Sequence, residues 1–183
     1  WEWCEDWYDS KGYEGGRETD PTGPDSAEAR VHRGGGWSSS PIRCRSAARV
    51  GRHPSAYRGS YLGFRIVHMA QLPKAALPAP PPLDCTGPNG ADAVTVLASQ
   101  RAWTRHMGVA SHEKLFPITE DRKVSVRMVL LPPGKYYQGN PGKGAIVTLT
   151  HPLWVGKYEV TQHQFASVMG KNPSHFKQEG KNT

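Results

Sequence analysis

A cysteine acts as nucleophile, redox centre or soft-metal ligand only as a thiolate. The chain has three cysteines, Cys4, Cys44 and Cys85, with no Cys-x-x-Cys spacing. An odd number cannot form a closed disulfide set. A Cys4–Cys44 bridge stays open, and the simpler reading is small buried thiols in a reducing compartment. The eight histidines are scattered, with no His-x-His or His-x-x-x-His pair. His106 and His112 flank a helix end and make a poor metal pair, so the histidines read as surface residues. Asn140-Pro141-Gly142-Lys143-Gly144 fails as a phosphate loop, because Tyr137 stands where the first glycine is needed and Gly144 where Ser or Thr must follow. Asn172-Pro173-Ser174 is no glycosylation acceptor, because proline fills its middle position.

The charge is +7 overall but unevenly spread. Residues 1–28 carry nine acids against Lys11 and Arg17, and residues 29–66 carry eight arginines and no acid. If the two stretches share a domain, their charges can pair, which weakens the case for a nucleic-acid partner. Trp37, Tyr57, Tyr61 and Phe64 interleave with those arginines, a pattern that also suits base stacking and phosphate contact.

These residues must be positioned by a loop-rich framework, since 20 Gly and 16 Pro leave few long helices. Position 1 is Trp and no leader pattern follows, so the natural start is expected elsewhere. The longest apolar run, Val124 to Leu131, is broken by Ser125 and Arg127 and is too short to span a membrane. Residues 68–93 contain Leu77-Pro78-Ala79-Pro80-Pro81-Pro82-Leu83 and are expected to be an extended linker with little regular structure. Residues 94–108 read as a short helix stopped by Gly108. Val124, Val126, Met128 and Leu130 alternate as in a strand. Further strands are expected over 135–139, 145–149 and 153–160. Thr161 and Gln164 form a capping box for a helix over 162–169, with Gly170 as its stop.

Ordered motifs then point to a family. Trp1-Glu2-Trp3-Cys4-Glu5-Asp6-Trp7-Tyr8, Arg30-Val31-His32-Arg33-Gly34-Gly35-Gly36-Trp37, Cys44-Arg45-Ser46-Ala47-Ala48-Arg49 and Leu62-Gly63-Phe64-Arg65-Ile66 resemble the late motifs of the sulfatase-modifying-factor, or formylglycine-generating-enzyme, family. Val129-Leu130-Leu131-Pro132-Pro133-Gly134, Lys157-Tyr158-Glu159-Val160-Thr161-Gln162 and Asn172-Pro173-Ser174-His175-Phe176 resemble its opening motifs. Late motifs precede early ones. The expectation is therefore residues 1–67 as the end of a first domain, 68–123 as a Pro-rich linker with a short helix, and 124–183 as the start of a second. Each half then lacks its partner strands, so Val126, Met128 and Leu130 should be incompletely covered.

The resemblance implies an α+β, irregular, C-type-lectin-like fold, here as two incomplete halves. It implies an ancestral oxidation of a substrate cysteine to formylglycine, using a cysteine pair that holds copper just after the Gly-Gly-Ser segment. Soft thiolates suit Cu(I), yet Gly34 to Arg43 contains no cysteine and Gly36 replaces the serine. No catalytic residue is assigned, and the segment argues against copper. Glu2 matches a position resembling a calcium ligand, with solvation or pairing to an arginine as its structural alternative, and calcium remains open for a complete domain. Arg49 matches a substrate-cleft arginine, and pairing with the acidic stretch explains it equally well. The leading reading is a non-catalytic or diverged module for a protein or peptide ligand, in a multidomain protein of the bacterial cytoplasm with no membrane partner. The alternatives are formylglycine-generating activity in the full-length protein and a basic nucleic-acid-binding segment.

Overall fold

The structure is a computed structural model, described for residues 1–12, 16–45, 47–57, 59–72, 78–87, 90–138 and 144–172. It is an irregular, sheet-rich α+β fold. The first sheet joins β1 (Glu2–Trp7), β3 (Arg30–Arg33) and β4 (Val50–Arg52) in the order β1-β3-β4, all antiparallel.

The other two sheets draw strands from both ends of the chain. One has the order β2 (Gly16–Thr19), β10 (Ala145–Leu149), β9 (Gly134–Gln138) and β6 (Leu83–Cys85). The outer strands β2 and β6 run parallel to their neighbours. The third sheet, β5 (Val67–Met69), β11 (Leu153–Gly156), β8 (Ser125–Leu131) and β7 (Glu113–Pro117), is antiparallel throughout. Leu153 lies opposite Met69, and Val155 opposite Val67.

The alternation in β8 works as its sequence demands. Val126, Met128 and Leu130 are all buried, and Leu130 is 0% exposed. They pack with Trp154, Ala70, and with Trp103 and Met107 at the end of α1 (Ala93–His106). This corrects the expectation that their faces stand uncovered. The cover comes from α1 and from the strand and loop residues around Ala70. Gln100 Nε2 donates to the Leu130 carbonyl at 2.8 Å and ties the helix to the sheet.

Local signals place the helices. Asp92 caps α1 by accepting from Thr95 N at 2.7 Å, and Gly108 follows it at φ +65. In α2 (Gln162–Met169), Thr161 and Gln164 form the reciprocal capping box, and Gly170 closes the helix in the left-handed region.

Two expectations change. The stretch 68–93 was to have little regular structure, but Leu83–Cys85 forms β6 and pairs with Gly134 to Tyr136. Gly134 permits this, because a Cβ there would meet the Leu83 carbonyl oxygen at 2.3 Å. Residues 73–77 and 88–89 of that stretch lie outside the described residues. The strand expected over 153–160 ends at Gly156, whose N–H bonds Ile66 O at 2.8 Å. Residues 139–143, with the last residue of the strand expected over 135–139, and residues 173–183 also lie outside the described residues.

Candidate functional site

Two concavities open on the N-terminal stretch. The larger, about 470 Å³, is lined by Trp7, Asp9, Glu18, the Pro21–Pro24 loop, Val31 and Arg49. Arg49, the residue matched to a substrate-cleft arginine, lies on its wall. Its Nη2 donates to the Gly12 carbonyl, and its guanidinium lies 5.0 Å from the Tyr8 ring centroid. Asp6 lies nearby, and burial raises its carboxyl above the usual range against the pull of Arg33.

The smaller concavity, about 240 Å³, lies where the Gly-Gly segment leads. Ser38, Ser39, Ser40 and Arg43 line one side. They are set by a turn after Gly35 and by a 3-10 turn over Pro41–Arg43. Gly35 is required there: its φ is +72, and a Cβ would stand 2.6 Å from Cys44 Sγ. Ser39 Oγ fixes the loop, accepting from Gly36 N at 3.0 Å and from Trp1 Nε1 at 3.1 Å. His32, Val50 and Arg52 from β3 and β4 complete the lining with Tyr57 and Tyr61, whose hydroxyls share a hydrogen bond at 2.6 Å. Arg52 sits over the Tyr57 ring at 4.8 Å.

His32 overturns the surface reading of the histidines. It is 2% exposed, and its ring meets Trp3 edge-on with centroids 3.8 Å apart. Burial, and then the charge of Arg52, lower its pKa to about 4. The imidazole is therefore neutral at pH 7, and its Nε2 has no hydrogen-bond partner. Sequence reasoning missed this residue because a lone histidine in a four-residue strand carries no signal of burial.

The thiols also differ from expectation. All three are free; Cys44 is exposed, and Cys4 and Cys85 are half-buried. Cys44 ends the 3-10 turn as its C-cap, its N–H donating to the Pro41 carbonyl. It does not line the smaller concavity. Burial pushes the Cys4 thiol up, keeping it protonated near neutral pH. Among the described residues, no group of three His, Cys, Asp or Glu side chains could hold a metal ion. The donor set after Gly35 is hydroxyl and guanidinium, so copper does not fit it.

Glu2 sits at the start of β1, and its Oε2 accepts from Arg65 Nε at 2.8 Å. That ion pair links the acidic and the arginine-rich stretches. Other arginines stack on rings: Arg30 lies 3.6 Å from the Trp7 centroid and also donates to the Glu5 carbonyl. The structure does not bring Glu2 and Arg49 into one site: Arg49 lines the larger cavity with Asp9 and Glu18, and Glu2 pairs with Arg65 beside Gly63.

The match to known proteins falls on this same region. Residues 1–70 match the family described as sulfatase-modifying factor enzyme 1-like domain. A formylglycine-generating enzyme of Streptomyces coelicolor is 40% identical over 75 residues, covering 39% of this chain and 24% of that protein. The chain thus spans about a quarter of the length of that curated relative. No solved structure matches. No helix among the described residues is long and apolar enough to cross a membrane. Residues 1–70 thus carry a sulfatase-modifying-factor-like domain stretch, with a bacterial formylglycine-generating enzyme as its partial relative.

Proposed function

We propose that the stretch 1–70 is a diverged, non-catalytic module of C-type-lectin-like type that recognises a ligand within a longer polypeptide. One observation carries the reading. The pocket wall following the Gly-Gly segment is built from Ser38, Ser39, Ser40 and Arg43, with no thiol. Oxidation of a substrate cysteine by copper needs sulfur ligands at the reacting centre, and serine hydroxyls are poor ligands for Cu(I). Cys44 could offer one sulfur but does not line the pocket, and Cys4 is held protonated by burial.

The tandem reading of the two ends belongs to the same proposal. It takes residues 1–67 as the end of a first domain and 124–183 as the start of a second, and rests on late motifs preceding early ones in the sequence. A calcium role for Glu2 would need several further oxygens, because that ion takes six to eight and Glu2 already serves Arg65.

A copper(I) titration against a chromophoric chelator tests the module reading. The expected result is that the chain does not strip copper from a chelator that a two-thiolate site would outcompete. Stoichiometric capture of one copper per chain, lost in Cys44→Ser, would overturn it.

A further inference from the structure

The smaller concavity has a composition that selects a ligand. Two guanidiniums, Arg43 and Arg52, line it, and no carboxylate does. Arg52 is held over the Tyr57 ring, a contact that leaves its N–H edge available to donate. Ser38 and Ser40 bring two hydroxyls that make no hydrogen bond among the described residues, and the Tyr57–Tyr61 pair, whose hydroxyls share one hydrogen bond, keeps one O–H to donate. Behind them His32 is 2% exposed with an unpartnered Nε2. A buried polar atom without a partner is costly, and its presence beside a lined cavity points to a ligand or ordered solvent that completes it.

We propose that this pocket binds a tetrahedral oxyanion, a phosphate or sulfate group on a small ligand, held by Arg43 and Arg52 and by the hydroxyls of Ser38, Ser40 and the Tyr57–Tyr61 pair. The donors come from three separate parts of the chain, the 38–43 turn, β4, and Tyr57 with Tyr61, which line one space. Such a set matches oxygens disposed around a centre better than a flat carboxylate, and charge-assisted bonds from arginine are the strongest of them. The volume of about 240 Å³ exceeds one oxyanion and leaves room for the organic part that carries it. Trp37, next in the chain to Ser38, is 88% exposed. The inference rests on the module reading of this site, and the two fail separately. Capture of copper by Cys44 removes the module reading, and the titration below addresses the ligand class alone.

The test titrates the full chain with inorganic phosphate, sulfate and acetate at constant ionic strength and pH 7, followed by the His32 ring cross-peaks in NMR. Expected is saturable binding of phosphate or sulfate that moves the His32 signals, with acetate at least tenfold weaker. Arg43→Gln and Arg52→Gln, both at exposed positions, should each weaken binding about tenfold. Arg101→Gln, exposed on α1, should leave it unchanged and serves as the control for net charge. Phosphate preferred over sulfate identifies a phosphorylated ligand, and the reverse identifies a sulfated one. Equal binding of acetate, an unmoved His32, or equal losses in the Arg101→Gln control would overturn the proposal.

Discussion

Leu130→Ala tests whether the two ends of the chain form one cooperative unit. Leu130 is 0% exposed and packs among Met128, Val126, Trp154, Trp103, Met107 and Ala70. Removing three carbons at about 0.8 kcal/mol each costs about 2.4 kcal/mol in transfer alone. The neighbours are a sheet and a helix that cannot fully collapse, so the cavity raises the cost to about 3–4 kcal/mol. For a chain of this length, that lowers the melting temperature by roughly 6–16 °C. The assay is thermal unfolding followed twice, by far-ultraviolet circular dichroism and by the NMR signals of His32. His32 lies in the β1-β3-β4 sheet, outside the Leu130 cluster. The account requires both signals to move down together, because β5 and β2 bring the N-terminal stretch into the two sheets completed by β8 to β11. A loss under about 1 kcal/mol, or a His32 transition that stays put while the rest melts early, would refute the interleaved fold.

Two further outcomes follow from the pocket and the thiols. His32 has a folded pKa of about 4 against an ordinary value of 6.5, so below pH 6.5 the unfolded chain binds a proton that the folded chain refuses. Its contribution to stability is therefore full above pH 6.5 and declines as pH falls toward 4. His32→Phe should flatten that limb of the melting-temperature profile between pH 6.5 and 4, and an unchanged limb would count against a buried neutral imidazole. Iodoacetamide should modify exposed Cys44 well before Cys4, whose thiol is pushed up by burial. Mass spectrometry of a time course reads the order, and equal rates would contradict the placement of the two thiols.

Strong local chemistry made part of this fold legible in the sequence. The Thr161/Gln164 capping box, the Gly108 and Gly170 stops and the alternation of Val126, Met128 and Leu130 each specify their element within a few residues, and each lies where it was read. The short strands were hidden. Val67–Met69 is exposed at all three positions, so its pattern shows no buried face, and it becomes a strand only because β11 offers an edge. Leu83–Cys85 sits directly behind a proline run and exists through its pairing with β9. Glu113–Pro117 leaves Leu115 60% exposed, which defeats a periodicity reading.

The candidate site divides the same way. The thiol-free segment from Gly34 to Arg43 was readable directly, because it concerns residue types. The pocket was not, because His32, Ser38 to Ser40, Arg43, Arg52, Tyr57 and Tyr61 converge only after β3 and β4 pair. The excess of arginine over acid suggested ion pairing. The structure shows that pairing for Glu2 and Arg65. It also spreads Arg30, Arg49 and Arg52 over the rings of Trp7, Tyr8 and Tyr57, where an arginine retains its charge.

The central claim is that the serine-lined wall does not carry out cysteine oxidation. The most direct measurement is mass spectrometry of a cysteine-containing sulfatase peptide after incubation with the copper-supplied protein in air. The account predicts a peptide of unchanged mass at its cysteine. Loss of sulfur with formation of an aldehyde at that residue, abolished by Cys44→Ser, would contradict it.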